Sequence, residues 1–290
     1  MEFRTIVETG KADFLIEPCE RLLFVGSCFA DSIGRRFVEE KFRTTVNPYG
    51  VMYNPASVLH TVERFCNGLT GKDERRELPD VLPSVAFLTL GTTHVYRLKE
   101  TGEIVDNCQK RPASLFQEEV LTVDECADYL QQTVNQLRRM NPEINIVLTV
   151  SPIRYRKYGY HGSQLSKATL LLAIDQLIHQ TSDIIPQPSA IPRLHYFPAY
   201  ELVQDELRDY RFYKEDMLHP SEQAVEYIWE RLVDWCFSPA AKEFLQEWAP
   251  LKAALNHRPF DADSEEYRAF LDKTMLKVAE LQKKYPTFAL

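Results

Sequence analysis

Long apolar runs are missing from this chain of 290 residues. No stretch approaches the ~18 apolar residues a membrane-spanning helix needs. The opening segment, MEFRTIVETG, holds neither a basic n-region nor an apolar core, so no signal peptide is expected. Excess positive charge is also lacking: 34 Lys and Arg stand against 42 Asp and Glu, a net charge of -8. Nucleic acid and anionic membrane surfaces both attract basic faces, so neither is expected as the main partner. The short basic cluster RYRK at 154–157 reads as a solvated loop. The six cysteines (19, 28, 66, 108, 126 and 236) are scattered with no CxxC pair. A chain of this length needs no disulfide staples, so reduced thiols and a cytoplasmic setting are expected. Histidines and cysteines show no zinc-type spacing, and neither a metal nor a cofactor is expected.

What the chain does have is a set of short apolar runs bounded by Gly, Pro, Asn or charged residues. They are RLLFVG (21–26), VAFLTLG (85–91), INIVLTV (144–150) and LHYFPAY (194–200), with FRTTVNP (42–48) as a shorter fifth. Continuous apolar runs of this length fit strands buried on both faces of a parallel sheet. Amphipathic helical patterns lie between them, over 29–41, 55–67, 122–140, 163–180 and 220–236. Asn54 with Pro55 is a helix start, and Thr122 with Glu125 is a capping-box signal. Strand and helix alternate down the chain, which predicts a three-layer α/β/α sandwich with a parallel, flavodoxin-like sheet and right-handed crossovers. After Ser238 the texture changes to two charged amphipathic helices. The division expected is one domain over 1–237 and a helical C-terminal extension over 238–290, with a packing role.

In an open parallel sheet, ligands sit beyond the carboxyl ends of the strands. Gly26, Ser27 and Cys28 follow the first run, where a strand turns into a helix. A helix start supplies free N–H groups and a positive dipole end, which suit a nucleophile and the oxyanion it creates. Serine before a helix is also an ordinary N-cap. Gly91-Thr92-Thr93-His94 follows the VAFLTL run. Late in the chain, Asp216 and His219 share one short loop before a helix. A carboxylate there can hold the imidazole tautomer while the other ring nitrogen takes a proton from a nucleophile.

These residues sit within a recognisable series. GSCFADSIG, VNPYGVMYNP, LTLGTTHVY, VDNCQKRPASLF, TVSPIRY, SKATLLLAI, YFPAYELVQDELRDYRFY and DMLHPSEQAVEYIW resemble, in order, the core of the GSCFA family, over about residues 20–236. That family is related to the SGNH (GDSL-type) hydrolases. The resemblance implies a flavodoxin-like three-layer fold and a Ser-His-Asp triad of Ser27, His219 and Asp216. "GSC" stands here where the superfamily has "GDS". The resemblance further implies an oxyanion hole from the N–H groups of Ser27 and Gly50 and a third donor from an asparagine. That asparagine is missing: the block reads Gly91-Thr92-Thr93-His94, leaving Thr93, His94 or Asn107 as substitutes.

Cysteine is intrinsically the stronger nucleophile, but Ser27 directly follows the strand-ending glycine and is the expected one. The expected function is a serine hydrolase working through an acyl-enzyme on a small-molecule or carbohydrate ester. An acyltransferase with the same triad, or a non-catalytic binding module on a degenerate hydrolase fold, are the alternatives. Tyr96, Arg111, Arg154, Tyr155 and His161 are candidate substrate contacts from the loops over 92–120 and 152–165.

Overall fold

The computed structural model describes residues 4–69, 82–184, 193–261 and 263–288. In chain order its elements are strand β1 (Arg21–Gly26), helix α1 (Cys28–Glu39), β2 (Arg43–Val46), α2 (Pro55–Leu69), β3 (Val85–Leu90), β4 (His94–Leu98), β5 (Ile104–Val105), β6 (Phe116–Val120), α3 (Val123–Met140), β7 (Asn145–Val150), α4 (Gly159–Ile184) and β8 (Leu194–Tyr196). A short helix α5 (Ala199–Glu201) runs into a π-helical turn, and α6 (Glu222–Cys236), α7 (Pro239–Leu255) and α8 (Glu265–Lys284) follow.

Five strands form one parallel sheet in the order β2-β1-β3-β7-β8. This is the flavodoxin-like order, and the α/β/α expectation holds. Side chains alternate across β1: Leu22 and Phe24 join a cluster with α1 and α6, while Leu23 and Val25 join one with α2, α3 and α4. Both faces are therefore covered by helices, which is why the strands read as unbroken apolar runs. The chain leaves β1 for β2 and returns on the other side of β1 to β3. The crevice for a ligand thus lies beyond the carboxyl ends of β1 and β3, where Gly26 and Gly91 sit.

The expected helix starts are present. Asn54 Oδ1 accepts the Ser57 N–H at 2.9 Å, and Thr122 and Glu125 form a reciprocal capping box. Two expectations need correction. The run at 194–200 is a strand only to Tyr196; Pro198 has no N–H to give, and the backbone turns helical at Ala199. Residues 159–162 belong to α4 rather than to a loop. A second, three-stranded antiparallel sheet, β5-β4-β6, stands beside the main one. Its strand β6 is mostly exposed, so it carries no apolar run to announce it.

The helices after Ser238 do not stand apart. Phe244, Trp248, Leu251, Val278, Leu281 and Phe288 join the same buried cluster as Phe24 and Phe37. The Trp248 indole N–H donates to the Glu39 carbonyl at the end of α1, at 3.1 Å. Among the described residues no helix is long and apolar enough to cross a membrane.

Candidate active site

Gly26 closes β1 with φ +146°. A Cβ built there would lie 2.1 Å from the Thr89 carbonyl oxygen, so only glycine brings β1 and β3 this close while turning the chain into α1. Its N–H donates to Asn47 Oδ1 at 2.9 Å, and its carbonyl accepts the Met52 N–H. The turn is thereby fixed on both sides, and the next two side chains leave it in different directions.

Ser27 is 1% exposed. Its Oγ accepts the Phe29 N–H at 3.2 Å as the N-cap of α1, and its own N–H donates to the Thr89 carbonyl. Cys28 is the first helical residue and is half-buried. Its Sγ lies 3.6 Å from the Tyr53 hydroxyl. Burial, then the contact with Cys28, pushes Tyr53 up to about 12, so the phenol keeps its proton and can donate it toward sulfur. The N–H groups of Cys28 and Ala30 have no acceptor within the helix, as is general for a first turn.

Asp216 and His219 are brought together. His219 Nδ1 lies 2.6 Å from Asp216 Oδ2, and Asp216 Oδ1 accepts the N–H groups of Leu218 and His219 at 2.8 and 3.0 Å. The two backbone bonds, His219 first, and then the ring hold the Asp216 carboxyl down to about 2. It is therefore a carboxylate throughout the neutral range. The loop is anchored by Arg154, whose N–H donates to the Leu218 carbonyl and whose Nη1 donates to the Met217 carbonyl, both at 3.1 Å. Arg154 is thus a brace for this loop, not a wall of the cavity described next.

A cavity of about 860 Å³ opens at the same sheet edge, between the 49–54 turn, the β4–β5 hairpin and the 155–158 turn. Gly50, His94, Tyr96, Asn107, Arg111 and Tyr155 all line it, together with Tyr53, Arg64 and Tyr158. Tyr53 connects it to Cys28, and the Tyr53 ring meets Tyr155 edge to face at 5.6 Å. Tyr155 follows Arg154, so one short segment serves both the cavity and the Asp216–His219 loop.

Several expected donors are engaged elsewhere. The Gly50 N–H closes a turn on the Asn47 carbonyl at 2.9 Å, and the Ser27 N–H is bound to Thr89, so neither is open to an oxyanion. Thr93 is fully buried with its hydroxyl 3.0 Å from Ser166 Oγ. His94 stacks on Tyr158 with ring centroids 3.4 Å apart and holds Glu118 Oε1 through Nδ1 at 3.0 Å; burial lowers its pKa. Asn107 Oδ1 accepts the Gln109 N–H. His161 is exposed on the first turn of α4 and does not line this cavity. Reading the sequence missed Tyr53, Arg64 and Tyr158. Arg64 lies on the polar side of an amphipathic helix, where nothing local marks it.

Solved structures similar to this chain include a family 3 carbohydrate esterase from Talaromyces cellulolyticus (11% identity over 78% of this chain and 97% of that one, TM-score 0.39). A family 3 carbohydrate esterase from Clostridium thermocellum matches at 11% identity over 79% and 98%, TM-score 0.42. An acetyl xylan esterase, Est2A, from Butyrivibrio proteoclasticus matches at 11% over 80% and 63%, TM-score 0.39. No curated protein matches the chain. The GSCFA family pattern matches residues 21–78 and 71–232, and the pattern described as GSCFA domain protein, C-terminal domain, matches 248–290. The chain belongs to the GSCFA family.

Proposed function

We propose that this chain is an acyl-transfer hydrolase that cleaves an ester through a covalent acyl-enzyme, with Asp216–His219 as the orienting pair and base and Cys28 as the nucleophile. The observation that carries the choice of Cys28 is the contrast at the β1–α1 turn. The Ser27 hydroxyl and N–H are both committed to backbone partners in a buried position. The Cys28 thiol instead faces a phenol of the cavity wall. A helix start also favours the negative charge of an attacking thiolate.

In the reaction, His219 Nε2 takes the Sγ proton while Nδ1–H stays on Asp216. Sulfur bonds to the acyl carbon, and the carbonyl electron pair moves to oxygen. The Cys28 N–H, unused within the helix, is the donor for that oxyanion. Collapse expels the alkoxide, which takes the proton from Nε2. Water then attacks the thioester, giving its proton to Nε2, and the acid leaves as Sγ is restored. An alcohol in place of water makes the same site an acyltransferase.

Ser27 as nucleophile is the second reading, favoured by its place directly after the strand-ending Gly26. Turnover of 4-nitrophenyl acetate, with intact-mass detection of the acetyl-enzyme, separates the two. Expected is loss of both signals in Cys28→Ala and in His219→Ala, with turnover kept in Ser27→Ala. An active Cys28→Ala beside an inactive, folded Ser27→Ala returns the role to Ser27. Turnover that ignores His219, with no acetyl adduct, overturns the hydrolase altogether.

A further inference from the structure

The cavity beside Cys28 is lined by two cations, Arg64 and Arg111, that no carboxylate neutralises among the described residues. Arg64 lies with its guanidinium 4.0 Å from the Tyr49 ring centroid, and Arg111 lies 4.9 Å from that of Phe116. Each guanidinium lies over an aromatic ring, and its N–H groups make no side-chain hydrogen bond among the described residues. Neither is in an ion pair with a carboxylate among the described residues. Among the described residues, the one carboxylate that lines the cavity, Asp106, is already held by His60, whose Nδ1 is 2.8 Å from Oδ1. In a chain with eight more acidic than basic groups, two aromatic-backed arginines on one cavity, without a carboxylate partner among the described residues, make a local excess of positive charge. A guanidinium fork fits carboxylate or phosphate oxygens better than any neutral acceptor.

We propose that the cavity accepts a substrate bearing an anionic group, carboxylate or phosphate, held between Arg64 and Arg111. The identity of that occupant as substrate rests on the acyl-transfer reading. The binding itself does not, so it is tested without turnover.

Titration calorimetry on the full chain with D-glucose, D-glucuronate and D-glucose 6-phosphate compares one ring carrying no charge, a carboxylate and a phosphate. Expected is tighter binding of at least one anion than of glucose. That preference falls about tenfold in Arg64→Gln and in Arg111→Gln, as the loss of a charge-assisted contact implies. It disappears in the double variant and weakens as salt rises. Whichever anion binds tighter names the source of the charge. Both side chains are exposed, so folding survives their replacement, and a thermal melt verifies it. Equal binding of the three ligands overturns the proposal, as does an anion preference that persists in the double variant.

Discussion

Ser27 caps the helix that Cys28 begins. The serine hydroxyl accepts the Phe29 N–H at 3.2 Å, and the thiol of the next residue sits 3.6 Å from the Tyr53 hydroxyl. Adjacent residues with similar chemistry thus have different surroundings, one bound into the start of its own helix and one beside a cavity-lining phenol. The separation follows from Gly26, whose left-handed backbone turns the chain so that the first side chain points back at its own helix.

This division predicts that Ser27→Ala is a stability variant. Loss of an N-cap costs about 1 kcal/mol. Denaturant unfolding is expected to register a destabilisation of that size, and Ser27→Asp, which can still accept the Phe29 N–H, is expected to recover part of it. A loss of several kcal/mol, or none, would sink the capping account.

Asp216 has a different signature. Its carboxyl is held down to about 2 by the backbone N–H groups of His219 and Leu218. For a lowered carboxyl, the stabilising contribution is complete above the unfolded value and is lost as pH falls through the folded one. The loop order it maintains is therefore present above about pH 4 and fails only toward about pH 2. Asp216 then contributes no acid limb to turnover above about pH 4. Asp216→Asn keeps the shape but loses the charge that fixes the ring tautomer, and a fall of about 10²–10⁴ in kcat is expected. Amide-resolved NMR of Leu218 and His219 across pH 2–5 checks the first statement, and steady-state kinetics the second.

The C-terminal helices give a packing prediction. Trp248 is 2% exposed among Phe42, Phe244 and Phe288, and its N–H is bound to the last turn of α1. Trp248→Ala is expected to destabilise the chain by about 3–5 kcal/mol, read by denaturant unfolding of the whole chain in one transition. Two transitions, with only the later part of the chain affected, would show that α7 and α8 fold by themselves.

The central sheet was legible because burial on both faces forces unbroken apolar runs, and because β2, too polar to stand out, is fenced by Pro48. The antiparallel β4–β6 sheet was not, since Phe116 and Val95 are its buried members and its other apolar residues, Leu98, Ile104, Val105 and Val120, are scattered among polar ones with no continuous run. The Asp216–His219 pair was readable because its members are three residues apart on one loop. The oxyanion donors were not, because a backbone N–H carries no letter. Whether the amides of Ser27 and Gly50 are open is decided by Thr89 and Asn47, whose carbonyls take them. Arg64 and Tyr53 likewise reach the cavity only through the crossover that carries the chain from β2 to β3.

Lys167 supplies the last prediction. It is buried at 2% exposure, and its Nζ donates to the carbonyls of Gly91 and Ser151, each at 2.7 Å. It therefore ties together the carboxyl ends of β3 and β7, beside the cavity. Burial lowers its pKa from 10.5 to about 7. Between those values the unfolded chain holds a proton that the folded chain has released, so stability rises with pH across this window. Below about 7 both states are charged and the burial penalty is carried in full; above 10.5 both are neutral and it is gone. A neutral amine still donates to both carbonyls. Lys167→Met leaves both unpaired and is expected to lower stability by about 2–4 kcal/mol at pH 10. Its deficit shrinks toward pH 7, because only the wild type pays the charging penalty there. Urea unfolding of both chains at pH 7, 8.5 and 10 measures the difference, in which the other titrating groups cancel. A deficit constant over that range would mean that the buried amine keeps its proton.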